Sequence, residues 1–269
     1  MRALKMNGTG NAFLLIDARY EPVEVKAETI SRWRQTHAFD QVLLLAPSEN
    51  GDARYRIWNQ DGNEVGACGN GARCAGWYLM RESGNDSARL DTAYGLTQAR
   101  RISGFRISVD LGPARTGWEE IPLAREMDTH ALEYTLMAGD LTVSSPGAVS
   151  MGNPHIVFVV SDLDTCPVKA LGQRAEHDPL FPDGVNTGFM QVIDSGRIRL
   201  RVWERGAGLT KACGTGAAAA IVAGHRKGLL DRQCHVAVDG GDLVIDWKEN
   251  NHVWLEGPVE LDGEVELDL

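Results

Sequence analysis

The chain has 269 residues, 43% hydrophobic and 24% charged, room for one large or two ordinary domains and a composition that excludes disordered, collagen-like and coiled-coil classes. Lys+Arg 27 against Asp+Glu 37 leaves a net charge of −10 with no basic cluster, which speaks against a nucleic-acid partner. No run approaches the roughly 18 apolar residues of a membrane span, and MRALKMNGTGNAF has no signal-peptide core, so a cytoplasmic protein with no membrane partner is expected.

In chain order, Tyr55–Trp58 alternates as a half-buried strand, and beyond Cys68 the positions Ala72, Ala75, Gly76 and Leu79 fall on one helical face. FRISVDL reads as a strand, and the Gly and Pro content of 112–122 reads as a linker. HIVFVV and Leu200–Trp203 are further strands. Ala217, Ala220, Ile221 and Gly224 predict a helix after Cys213, and its AAAAIVAG run is apolar enough to be buried nearly all round. HVAVD, LVIDW and HVWLEG complete the strands, divided by Asp-Gly and Gly-Gly turn signals.

An internal repeat organises these elements. RYRIWNQDGNEVGACGNGA (54–72) aligns with RLRVWERGAGLTKACGTGA (199–217) at an offset of 145 without a gap, and Trp58/Trp203 and Cys68/Cys213 are among the identities. Gln41 matches Asn186 at the same offset, and Asn11 matches Asn153 at 142. The chain therefore reads as a duplicated α+β fold with two similar lobes.

Five cysteines, an odd number without a Cys-x-x-Cys pair, are expected to be reduced thiols. Cys68 and Cys213 each stand where a turn enters a helix, so free N–H groups and the helix dipole favour thiolate. The glycines at 69, 71, 214 and 216 let backbone donors approach a carboxylate. If equivalent motifs face each other across one cleft, one sulfur can take a proton from a carbon while the other gives one to its far face, inverting the centre without a cofactor. A free Cys among small residues is commonly plain packing, which is the reading for Cys74, and packing or partial exposure is the reading for Cys166 and Cys234.

MNGTGNAF, AFDQ, NQDGNEVGACGNGARC, SMGNPH, NTGFMQ and ERGAGLTKACGTG together resemble the signatures of the diaminopimelate epimerases, in order and spacing, over nearly the whole chain. The resemblance implies a duplicated two-lobe fold, each lobe a β-sheet or barrel wrapped around a central helix and the lobes related by a pseudo-twofold axis. The N-terminal lobe would be 1–113 completed by 259–269, and the C-terminal lobe 114–258. It implies an isomerase, with no cofactor and no metal, that interconverts LL- and meso-2,6-diaminopimelate in lysine and peptidoglycan precursor biosynthesis. Cys68 and Cys213 would be the acid/base pair. Asn11, Gln41, Asn59, Gly69, Asn70, Asn153, Asn186, Glu204, Arg205, Gly214 and Thr215 would hold the small-molecule substrate. His155 and Glu204 would tune the thiols, a cationic imidazole lowering and a carboxylate raising a thiol pKa.

Each residue also has a plainer reading: Asn beside Gly serves turns, His155 can close a strand hydrogen bond, and Arg205 beside Glu204 can be a surface ion pair. The chain departs from the family pattern at Ala12, at Thr36–Phe39 and at Leu261, where many members carry a Tyr that helps dimer contacts; a homodimer is left open. Competing classes are a redox protein with a Cys68–Cys213 disulfide, an amino-acid binder without chemistry, and a pyridoxal phosphate racemase, for which Lys211 offers no recognisable setting.

Overall fold

The computed structural model describes residues 1–268, folded into two compact units. Unit 1 comprises Met1–Asp110 with the residues from Glu256 onward, and unit 2 is Leu111–Leu255.

Unit 1 opens with a hairpin of β1 (Arg2–Gly8) and β2 (Asn11–Asp17). Its turn places Thr9 at φ 56° and Gly10 at φ 85°, with the Gly10 N–H donating to Asn7 Oδ1 at 2.9 Å. Helix α1 (Ala27–Thr36) leads to β3 (Gln41–Ala46), parallel to β2, and β4 (Ala53–Asn59) returns antiparallel to β3. After the short β5 (Glu64–Val65), helix α2 (Gly69–Ser83) crosses to β6 (Ser87–Thr92), parallel to β4; β7 (Gly95–Ser103) and β8 (Arg106–Pro113) follow antiparallel.

Unit 2 begins with a ribbon of β9 (Thr135–Ala138) and β10 (Leu141–Ser144) and then repeats the plan of unit 1. Strands β11 (Gly147–Ser150) and β12 (Pro154–Val159) are antiparallel, and α3 (Val168–Glu176) leads to β13 (Asn186–Asp194), parallel to β12. Strand β14 (Arg197–Glu204) returns antiparallel, β15 (Gly208–Leu209) follows, and α4 (Gly214–Arg226) crosses to β16 (Gln233–Val238), parallel to β14. Strands β17 (Gly241–Trp247) and β18 (His252–Pro258) complete this layer, and β19 (Glu260–Glu266) pairs antiparallel with β1 in unit 1.

Each unit thus wraps strands around one central helix. Helix α2 packs on β1, β2, β3, β6 and β7, and α4 packs on β11, β12, β13, β14, β16 and β17. Gly216–Gly224 is buried at every position, so this stretch of α4 has no solvent face. The close packing at both helix starts requires glycine: a Cβ on Gly71 would stand 2.4 Å from Tyr55 Oη, and one on Gly216 2.8 Å from Val202 Cγ2. The duplicated α+β architecture matches the expectation. The linker expected over 112–122 is a correction, because Gly112 and Pro113 lie in β8 and Ile121 is buried in the core of unit 2 with Leu171, Phe158 and Phe189. An apolar side chain such as Ile121 gains more by packing there than by staying in solvent.

Candidate functional site

Cys68 and Cys213 are the N-caps of α2 and α4. In each case the backbone is extended (φ −152° and −113°) and the sulfur accepts the N–H of the third residue on, Gly71 or Gly216, at 3.3 Å. A thiolate there meets the positive end of the helix dipole. The surroundings then diverge. Cys68 is half-buried, whereas Cys213 is buried and its pKa is pushed well above the ordinary thiol value. Burial is the main cause and the Glu204 carboxylate the next, against hydrogen bonds from Thr215 and Gly216. Glu204 is itself raised by burial, opposed by hydrogen bonds with the Thr210 hydroxyl and the Cys213 thiol.

The polar residues form equivalent arrays. In unit 1, Asn70 Nδ2 donates to Asn11 Oδ1 at 3.3 Å. In unit 2 the repeat-related Asn153 Nδ2 donates to Thr215 Oγ1 at 3.4 Å. Gln41 faces Phe13 in the β2–β3 ladder, as Asn186 faces His155 in the β12–β13 ladder. Gln41 Nε2 donates to Asn59 Oδ1 at 2.8 Å, and its Oε1 is buried without a partner among the described residues. Asn186 is committed to the backbone, giving a hydrogen bond to Pro154 O at 2.8 Å and accepting the Arg205 N–H at 3.0 Å. Gly69 and Gly214 are the first residues of their helices.

His155 touches neither sulfur through any hydrogen bond seen here. Its Nε2 lies 3.0 Å from Asn153 Oδ1 and 3.1 Å from Thr215 Oγ1, and Thr215 Oγ1 is 3.6 Å from Cys213 Sγ. Burial, helped by the Arg205 cation, pushes its pKa down to about 3. The imidazole is therefore neutral near pH 7, which corrects the expected cation, and its hydrogen-bond link to Cys213 runs through the Thr215 hydroxyl. His155 and Glu204 both belong to the surroundings of Cys213.

Arg205 is exposed beyond β14, with Nη1 donating to Asp183 O. It makes no ion pair with Glu204, and its loop is held instead by Glu176 at the end of α3, whose carboxylate accepts the Trp203 indole N–H at 2.6 Å and the Gly206 N–H at 2.7 Å. Sequence reasoning missed Glu176 and Thr210. Thr210 was visible only as a mismatch in the repeat, opposite Val65; Glu176 carried no motif at all.

The departures from the family pattern are structured. Ala12 N–H donates to Asp40 Oδ2 at 2.8 Å while Asp40 N–H donates to Ala12 O at 2.7 Å, and Phe39 is buried in the unit 1 core. Leu261 lies opposite Met6 in the β1–β19 ladder and is exposed. Lys211 is exposed. Among the described residues no group of three or more His, Cys, Asp and Glu is placed to hold a metal, and no helix is long and apolar enough to cross a membrane.

The family model for diaminopimelate epimerase matches residues 3–117 and 147–261, the first segment lying mostly in unit 1 and the second mostly in unit 2. A diaminopimelate epimerase of Phenylobacterium zucineum is 48% identical over 267 residues, covering 98% of this chain and 96% of the relative. One of Acidiphilium cryptum is 43% identical, covering 98% and 95%. In fold, the chain resembles a hydroxyproline epimerase of Agrobacterium vitis (TM-score 0.68, 17% identity, 98% and 90% covered) and a PhzF-family phenazine biosynthesis protein of Bacillus anthracis (TM-score 0.67, 16% identity, 100% and 99% covered). The chain belongs to the diaminopimelate epimerase family and is an isomerase.

Proposed function

We propose that the chain interconverts LL- and meso-2,6-diaminopimelate, with Cys68 and Cys213 as the proton acceptor and donor at one α-carbon and no cofactor. The observation that carries this reading is the sulfur at the N-cap of a central helix, repeated in both units with the same 3.3 Å N–H contact but unlike electrostatic surroundings. One thiolate takes the α-proton and becomes a thiol; the carbanion then takes a proton from the other thiol on the opposite face, leaving that sulfur as thiolate. Acid–base assistance of this type contributes about 10²–10⁴-fold. Glu204 beside Cys213 favours the protonated sulfur there, so Cys213 is the resting donor.

In this reading the amide groups of Gln41, Asn59, Asn11 and Asn70, and the N–H groups at the two helix starts, hold the amino and carboxyl groups, while the fork of Arg205 takes a carboxylate. The work belongs to lysine and peptidoglycan precursor synthesis in the cytoplasm. The test is incubation of the reduced protein with diaminopimelate in deuterated water. Inversion with deuterium at one α-carbon only is expected; neither inversion nor label would overturn the substrate assignment.

A further inference from the structure

Helix α2 carries a charge that α4 lacks. Arg73, one turn beyond the helix start, is fully buried at 0% exposure, and the repeat places Ala218 at its counterpart. Its Nη2 donates to two neutral oxygens, Thr9 Oγ1 at 2.9 Å and Asn70 Oδ1 at 3.0 Å. Its Nε and Nη1 are buried with no hydrogen-bond partner among the described residues. Among the described residues no carboxylate is bonded to this guanidinium. An uncompensated buried cation is costly, and a helix needs none for packing, since α4 manages with alanine.

Both ends of the Nη2 fork lead to the candidate site. Thr9 is the non-glycine residue at φ 56° in the β1–β2 turn, and Asn70 in turn donates to Asn11. The Arg73 charge also lies within electrostatic reach of Cys68 and Cys74 on the same helix. Of these, Cys74 is buried with its thiol pushed up to about 12, so it stays protonated and leaves Cys68 as the sulfur able to answer the cation. The other titratable neighbours are Tyr55 on β4, buried and held neutral, Arg106 on β8 facing Arg73, and Asp262 on β19 facing Cys74.

We propose that Arg73 is a positioning residue for the reaction of the preceding section: its unpaired buried charge holds Cys68 as the thiolate, and its Nη2 fork fixes Thr9 and Asn70, and through Asn70 the Asn11 amide. The two sulfurs are then biased in opposite senses, by a cation in unit 1 and by the Glu204 carboxylate in unit 2. This rests on the two-thiol reading, but its test does not require turnover.

The experiment is pH-resolved alkylation of the reduced full chain with iodoacetamide, with Cys68 and Cys213 quantified separately by peptide mass spectrometry. In the wild type, Cys68 is expected to reach its plateau rate at lower pH than Cys213; the reverse order overturns the proposal. In Arg73→Met, Cys68 alkylation at pH 7 is expected to fall about tenfold, as for loss of a cation near a thiolate, with Cys213 unchanged. Arg73→Lys keeps the charge and is expected to keep the Cys68 profile while loosening the Asn70 fork, read as a raised KM with diaminopimelate. A folded Arg73→Met with an unmoved Cys68 profile overturns the proposal, as does Arg73→Lys shifting Cys68 as far as Arg73→Met. If Arg73→Met does not fold, the wild-type order and the Lys variant still decide. Wild-type order as expected with no epimerisation at all would sink the substrate reading and leave the electrostatic role of Arg73 standing.

Discussion

The two units are built from one plan, yet they differ in the residues that surround it. The half-buried Cys68 has a neutral amide array and a buried cation near it, whereas the buried Cys213 has a carboxylate, a neutral imidazole and two hydroxyls. Where unit 1 has Phe13, Asn59, Val65 and Arg73, unit 2 has His155, Glu204, Thr210 and Ala218. The backbone frame has been kept and the charges have been redistributed. A duplicated scaffold would give two identical thiols; a reaction that needs an acid and a base at once needs unequal ones.

The comparison can be broken most severely at the sulfurs themselves. Cys68→Ala and Cys213→Ala are each expected to lower epimerisation by about 10²–10⁴-fold while leaving the circular dichroism spectrum unchanged, and full activity in both would end the two-thiol account. Next come the paired glycines. Gly71→Ala drives a methyl to within 2.4 Å of the Tyr55 hydroxyl and is expected to cost about 1–3 kcal/mol in denaturant unfolding. Gly216→Ala, at 2.8 Å from a Val202 methyl, is expected to cost less.

Importing unit 1 residues into unit 2 sharpens the contrast further. His155 has its pKa pushed down to about 3 in the folded protein, against about 6.5 in an unfolded chain. Below 6.5 the unfolded chain binds a proton that the folded one refuses, so this group's contribution to stability is lost as the pH falls from 6.5 toward 3. Between pH 7 and 5 the loss is roughly 2 kcal/mol. His155→Phe, which copies Phe13, is expected to flatten that part of the stability profile; a profile as steep as the wild type's would contradict the neutral buried imidazole. Glu204→Asn, which copies Asn59, removes the carboxylate that raises Cys213, so alkylation of Cys213 at pH 7 is expected to quicken about tenfold.

The features legible in the sequence were those written into the local pattern. The alternation at Tyr55–Trp58 and Leu200–Trp203, the apolar faces of α2 and α4 and the cysteine caps all appear as expected, because each depends on neighbours within a few residues. Helices α1 and α3 did not stand out: α1 buries only Thr29, Ile30 and Trp33, and α3 carries Gly172 mid-helix. That glycine makes sense only against Trp203, whose Cβ would lie 2.3 Å from an added methyl. Arg73 and Glu176 were illegible for a related reason. A charged residue in a helix reads as a solvated face until the tertiary structure shows what surrounds it.

The path of the chain has a consequence for how the molecule is made. Unit 2 is one continuous stretch, Leu111–Leu255, whereas unit 1 closes through β19, which pairs Glu266 with Arg2 and lends its carbonyls to the Met1 amine and the Trp33 indole by way of residues 267 and 268. During synthesis β1 must wait, with its edge open, until unit 2 has emerged and β19 follows it. Pairing across so long a stretch of chain is slow, and an open strand edge is a template for association with other chains. A nascent chain stalled before Glu260 would therefore carry a completed second half and a sticky first one.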